Sequence, residues 1–484
     1  MKRKTDNHRG KGRAGLWRWL ALAALWLFAP LGAAPVAFAE DTPLAAPLCF
    51  TAESDNAVVG LEAVAGHNST GGKVPEVALE ISTDGKTWRE WKAPRRVELP
   101  HKGDKVFMRA VDKNECFGYG TVVSSWGFDD DGEYWADECS YPDGYHHFVI
   151  AGTVAASGDV MALLDRDWRR RPLAVRPFAV WGLFSGCAGL TAAPELSATE
   201  LAHSCYGEMF KGCTGLQTAP KLPAIMLANQ CYAGMFEGCT ALTTAPELPA
   251  MQLECSCYAL MFSGCTRLIA APRLPAITLV DRCYAYMFAQ CTGLTSAPEL
   301  PATELANGCY SEMFIGCTGL RVAPRLPATK LAASCYSAMF LGCANLAVAP
   351  ELPATEMMRY CYGQMFGGCT AMVTALKLPA TKLAKGCYLA MFKGCTGLQT
   401  APELPAMVLT DNCYSAMFAG CTGLTAAPRL PATKLAEDCY RAMFKGCAGI
   451  IEAPELPDTE LAKDCYAEMF ADCPKLKNDP TKKK

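Results

Sequence analysis

The chain has 484 residues, more than one ordinary globular core holds. Hydrophobic residues make up 51% and charged residues 19%, which excludes an intrinsically disordered chain. The formal net charge is −3, and residues 40–484 alone hold 38 basic against 47 acidic side chains, a poor balance for non-specific nucleic-acid binding, which needs a basic footprint.

Residues 1–39 read as a secretory signal peptide. Seven basic residues, Lys2 to Arg18, precede an apolar stretch from Leu16 to about Ala34, and Ala37-Phe38-Ala39 forms an A-x-A cleavage site. Pro30 and Pro35 interrupt the stretch, which favours cleavage over a membrane anchor. No cysteine follows the site to carry a lipid, and no second long apolar run predicts a transmembrane segment in the mature chain.

Residues 40–145 predict a small all-β, sandwich-like domain. Short alternating runs (77–81, 96–99, 106–110) are separated by turn residues, and Asp84-Gly85 supplies the positive φ of a tight hairpin. The segment Ser82-Thr83-Asp84-Gly85-Lys86-Thr87-Trp88 resembles the Asp-box of sialidases, one residue short; that box is a structural turn, so no catalysis is read from it. Six acidic residues between Asp129 and Glu138 lack the order of a calcium loop and read as a solvated loop. His146 and His147 are adjacent, so on a strand they point to opposite faces and do not share a metal. Of Cys49, Cys116 and Cys139 at least one stays unpaired, and the spacing does not say which two would bridge. Residues 146–180 form a junction and N-terminal cap, in which Phe178 to Phe184 occupies the place of a degenerate first repeat, with Ala179 and Val180 where Cys and Tyr stand later.

Residues 181–476 repeat every 26 residues, and 477–484 are a basic tail. The Cys-Tyr pair of Cys205 returns at each step to Cys465, and a second cysteine keeps the same step from Cys187 to Cys473. A fixed period of this size predicts a solenoid. Leu201, Cys205, Met209 and Cys213, with Tyr206 and Phe210 beside them, make a stripe at i, i+4, i+8 that predicts a helix between Thr199 and Lys211, with Gly212 after it. Cys213 to Pro223 is expected to be extended. By period two, Leu242, Thr244, Pro246 and Leu248 of the third unit share one face, and Thr243, Ala245 and Glu247 the other. The Glu247 position alternates in sign along the array: Glu195, Lys221, Glu247, Arg273, Glu299, Arg325, Glu351, Lys377, Glu403, Arg429, Glu455. Stacked strands place such residues about 4.8 Å apart, so a solvent-facing structural charge ladder is expected.

The array holds 24 of the 27 cysteines, all periodic except Cys255. Cys205 and Cys213, eight residues apart on a helix, are about 12 Å apart, too far for a disulfide. Bridges between adjacent coils stay open, with buried free thiols the simpler account. The C-x7-C spacing matches no zinc pattern, so no metal or cofactor is expected.

The unit L-P-A-T-x-L-A-x-x-C-Y-x-x-M-F-x-G-C-T-x-L resembles the leucine-rich repeats of BspA-like bacterial surface proteins, over Phe178 to about Leu476. The segment from Leu48 to Glu53 and the hairpin after it are similar to leader domains of secreted relatives. The resemblance implies an α/β fold, a leucine-rich-repeat solenoid after the small all-β domain. It also implies a secreted or cell-surface protein, adhesins included, that binds extracellular or host proteins on a concave strand face. The outward positions on that face are Thr191, Gln217, Thr243, Ile269, Thr295, Arg321, Ala347, Val373, Gln399, Thr425 and Ile451. The alternative is glycan binding by the β-domain through Trp88, Trp91, Trp126 and Trp135. No nucleophile–base pair, phosphate loop or zinc-helix motif appears, and His203 is the array's one histidine, so the chain is not expected to be an enzyme.

Overall fold

The structure, a computed structural model, describes residues 46–65, 74–120, 125–128, 134–137, 142–170, 175–456 and 459–483, with backbone alone at 125–128 and 134–137. The expected signal peptide lies outside them. The N-terminal strands are β1 (Leu48–Ala52), β2 (Ala57–Ala65), β3 (Leu79–Ser82), β4 (Arg89–Glu90), β5 (Arg96–Leu99), β6 (Lys105–Ala110), β7 (Gly118–Tyr119), β8 (Ser125–Phe128), β9 (Tyr134–Asp137), β10 (Gly144–Ala151) and β11 (Val154–Ser157). They form a sheet ordered β11-β1-β6-β3-β4, a second ordered β5-β2-β10-β7, and a β8-β9 ribbon. Alternation places the core: Val106, Met108 and Ala110 of β6 are buried, and Phe50 of β1 meets Phe148 of β10 edge-on between the two sheets, with ring centroids 5.0 Å apart.

From Phe178 onward the chain coils with the 26-residue period, but the arm carrying the Cys-Tyr-x-x-Met-Phe letters is not an α-helix. It is a train of four-residue turns. Odd-numbered amides bond three residues back along the chain: Gly207 N–H donates to the Ser204 carbonyl (3.1 Å), Met209 to Tyr206 (3.3 Å) and Lys211 to Glu208 (3.0 Å). Even-numbered amides donate to the next coil: Tyr206 to Cys231 (3.0 Å), Glu208 to Ala233 (2.8 Å) and Phe210 to Met235 (2.9 Å). Because the period is even, this division holds from coil to coil, so the amides of the arm are paired wherever another coil follows. Each fourth residue has a left-handed φ: 50° at Ser204, 50° at Glu208 and 71° at Gly212. Glycine occupies the Gly212 position in ten of twelve coils, from Gly186 on, for this reason, since a Cβ on Gly238 would meet Gly212 only at an ordinary 3.7 Å.

The expected α/β leucine-rich-repeat solenoid is therefore overturned. Among the described residues the only helical pieces are 3-10 turns at Val160–Leu163, Trp168–Arg170 and Pro480–Lys483. The physical reason is coil spacing. Helices pack about 8–10 Å apart, whereas Tyr206 and Tyr232 stack at 5.8 Å and Phe210 and Phe236 at 5.6 Å, their planes within 5° and 1° of parallel. A helical arm would splay the coils and part these rings.

The other arm is extended and touches its neighbours at single parallel bridges, Ala192↔Thr218↔Thr244↔Ala270↔Ser296 and Glu200↔Met226↔Gln252 among them. Prolines at the Pro220 and Pro223 positions lack the N–H that a continuous ladder needs. Inside the coil, Cys205, Tyr206, Met209, Phe210, Cys213, Leu216 and Leu222 and their repeats are buried, apart from the half-buried Leu456, Cys473 and Leu476 at the C-terminal end.

The first coil is laid directly on the β-domain. β12 (Leu190–Ala192) extends the first sheet, pairing parallel with β11. Phe148 N–H donates to the Leu183 carbonyl (2.7 Å) and Phe117 N–H to Ala179 (2.7 Å). Phe148 also stacks on Phe184 at 5.2 Å, and Phe184 on Phe210 at 5.3 Å. The phenylalanine column of the solenoid thus begins inside the sandwich and runs to Phe470. Asp159, buried at this junction, accepts from Met161 N–H (3.0 Å), Trp168 Nε1–H (3.1 Å) and Ser197 Oγ–H (2.5 Å).

Candidate binding face

Outward side chains of the extended arm line up in columns, one residue per coil. The first column holds the positions anticipated from the sequence. Gln217, Ile269, Thr295, Arg321, Ala347, Val373, Gln399, Thr425 and Ile451 are exposed, and Thr191 and Thr243 are half-buried. The residue after each is also outward, which the period-two phase did not foresee. Thr244 is exposed rather than interior, as are Val322 (60%) and Val348 (59%). The arm bends here: the Thr244 position bridges the next coil while Leu242 stays inside, so strict alternation fails over these three residues.

Alternation resumes farther along. Leu222, Leu248 and their repeats point inward, and the eleven residues from Glu195 to Glu455 are all exposed. Successive ladder charges stand one coil apart, yet among the described residues no ion pair joins them. Pairs between coils form at other positions, Glu304 with Lys330, Glu356 with Lys382, and Glu237 with Lys211 at 3.1 Å.

A third column was missed. At the Thr of L-P-A-T, three coils carry Ile225, Met251 and Ile277 instead, exposed by 62%, 62% and 63%, with Met226 beside them. Met407 and Val408 repeat the exception near the other end. The signal was legible: four apolar residues interrupt an otherwise threonine column.

The cysteines are not chemistry. No disulfide forms among the described residues, and the periodic thiols are buried, Cys473 excepted as half-buried. The Cys213 thiol donates to the Phe184 carbonyl of the coil before it (3.0 Å), and Cys239 to Phe210 (3.1 Å), a bond repeated along the array. Burial pushes Cys187 and Cys205 up to about 12, so the reactive thiolate is suppressed.

In the β-domain, Asp84 is spent on its own turn. Its carboxylate accepts from Ser82 Oγ–H (2.8 Å), Lys86 N–H (2.8 Å) and Thr87 N–H (2.7 Å), and these bonds hold its pKa well below the usual range. Trp91 is buried, and Arg109 lies 3.9 Å over one face of the half-buried Trp88 ring. The side chains of Trp126 and Trp135, Cys139 and the acidic stretch 129–138 lie outside the described residues. His146 is buried with Nε2 2.7 Å from the Pro75 carbonyl, and His147 points to the other side toward the Ser185 carbonyl at 3.4 Å. Among the described residues no group of three or more His, Cys, Asp or Glu could hold a metal ion, and no helix is long and apolar enough to cross a membrane. No protein-family model, curated protein or solved structure matches the chain.

Proposed function

We propose that this chain is a secreted or cell-surface binding scaffold, not an enzyme, that engages an extracellular protein, host proteins included, through the outer face of its extended arm. One observation carries the reading: the interior repeats almost letter for letter, whereas the outward columns vary from coil to coil and hold large exposed apolar residues such as Ile269, Val322 and Val348. Exposed apolar patches on a folded chain mark contact surfaces. The basic-then-apolar N-terminus supports export. The unit's likeness in letters to BspA-like surface proteins supports the same location, although the leucine-rich-repeat architecture it implied does not form.

The test is direct binding of residues 40–484 to a panel of purified extracellular-matrix proteins, with a glycan array beside it. Saturable binding to a protein is expected. Val322→Lys with Val348→Lys is expected to weaken it at least about tenfold, as loss of a central apolar contact does. Equal binding by both chains, or binding to glycans alone, overturns the reading.

A further inference from the structure

The ladder of alternating charge is exposed and its rungs form no ion pairs with one another. Such a pattern has no net field for a uniformly charged partner. It is complementary, though, to its own copy run backward. A two-fold axis lying in the face, along the extended arm, keeps each column on itself and reverses the order of coils. Set between Glu299 and Arg325, it places Glu299 against Arg325 of the second copy, Lys221 against Glu403 and Glu195 against Arg429; the two steps between these are also of opposite sign. A parallel pairing, coil on like coil, would oppose like charges.

The same operation acts on the third column without adjustment. It brings Ile225 against Met407 and Met226 against Val408 of the second copy, joining the apolar exceptions at the two ends of that column. It also brings Glu304 against Lys330. An axis one coil farther on keeps the charge match and sets Ile277 against Met407, but leaves Ile225 against Thr459 and Met226 against Glu460, so the larger number of apolar pairs favours the first register. Ten stacked coils run roughly 45 Å. A face about 20 Å wide then covers on the order of 900 Å² per copy, the size of a stable interface.

We propose that the outer face of the extended arm docks a second copy of this chain, antiparallel, as a closed two-fold dimer centred between the coils of Glu299 and Arg325. The inference rests on the reading of this face as the binding face and names one partner for it. A dimer of this kind is self-limiting, because the same patch is used on both copies.

Sedimentation velocity of residues 40–484 under reducing conditions tests it. A dimer that weakens as salt rises is expected. Lys221→Glu, and separately Glu403→Lys, each create two like-charge contacts across the axis and should weaken dimerisation at least about tenfold. The double variant should restore it, since the exchanged charges pair again between copies. Within one chain positions 221 and 403 are seven coils apart, so no effect on a single copy's folding is repaired by combining them. Met226→Lys with Val408→Lys should abolish the dimer while far-UV circular dichroism is unchanged. A chain monomeric at low salt, or single variants that the double variant does not rescue, overturns the proposal. A monomer that still binds a matrix protein through Val322 and Val348 sinks this inference alone; a dimer whose Lys221→Glu monomer, with this face uncovered, binds no matrix protein sinks the proposed function alone.

Discussion

Each Phe and Tyr within the interior columns, the end residues apart, stacks on a neighbour above and one below, so a single truncation there loses contacts in two directions. Phe314→Ala in the middle of the column is expected to cost about 3–5 kcal/mol, and Phe470→Ala less, because Phe470 has one stacked neighbour. Chemical denaturation followed by hydrogen exchange checks both, the exchange separating local from global opening; equal losses would contradict the stack. The tyrosine column carries a different cost. The Tyr336 and Tyr362 hydroxyls are buried with no hydrogen-bond partner among the described residues. An unsatisfied buried hydroxyl costs about 1–3 kcal/mol, so Tyr362→Phe is expected to leave stability unchanged or raise it by up to about 1 kcal/mol. A clear loss of stability in thermal melts would show that the hydroxyl is satisfied after all.

At the scale of the element, the turn arm explains what was and was not legible. The inward set Cys205, Tyr206, Met209, Phe210, Cys213 was readable because burial follows the letters whatever the backbone does. The backbone itself was not. A helix returns to the same face after 3.6 residues and the turn train after 4, so the strict four-residue stripe from Leu201 to Cys213 drifts about 120° on a helix; that drift pointed away from the helix, but a broad apolar face hides it. The residue that would have told them apart, the left-handed one, is Glu208, Leu260, Tyr286 or Ala338 in different coils, none of which announces a positive φ. Gly234, Gly308, Gly386 and Asn412 do mark left-handed positions in single coils, but the glycine that recurs is the one at the end of the arm, and it fits a helix C-terminus equally well. The extended arm was legible at its second half, where Leu222 and Lys221 alternate, and failed at Thr244, where the chain bends. Backbone strain gives the check. Gly342 has φ 75°, and a Cβ there would meet the Gly316 backbone only at an ordinary 3.8 Å, so Gly342→Val is expected to destabilise by roughly 1–2 kcal/mol through its backbone and Gly342→Asn by less. Equal effects of Val and Asn would mean the position is not left-handed.

For the whole molecule, the accumulation of identical units turns small effects into large ones. Burial raises the thiols of Cys343 and Cys395 from 9.0 to about 12, and other periodic cysteines likewise. A group with a raised pKa in the folded chain is neutral there, so its contribution is fully present below pH 9 and is lost as pH rises from about 9 toward 12, where the unfolded chain has already released its proton. Each thiol removes up to about 1.4 kcal/mol per pH unit in that window. With two per coil, the melting temperature in reductant is expected to be flat from pH 6 to 8 and to fall steeply above pH 9. A chain with both cysteines of several coils changed to Ala should fall less steeply, and an unchanged slope would place the alkaline transition elsewhere.

Phe148 sits in a strand of the sandwich yet occupies the first rung of the solenoid's phenylalanine column, and its carbonyl accepts the Cys187 thiol as Phe184 accepts that of Cys213. The β-domain therefore presents a finished template for the coil before any coil exists. Each new coil needs a completed surface beneath it, since its own hydrophobic interior cannot close alone. A chain that emerges N-terminus first meets that surface in the right order. Winding can then run from the sandwich outward, the even-numbered amides of each coil gaining their acceptors as the next coil is laid down.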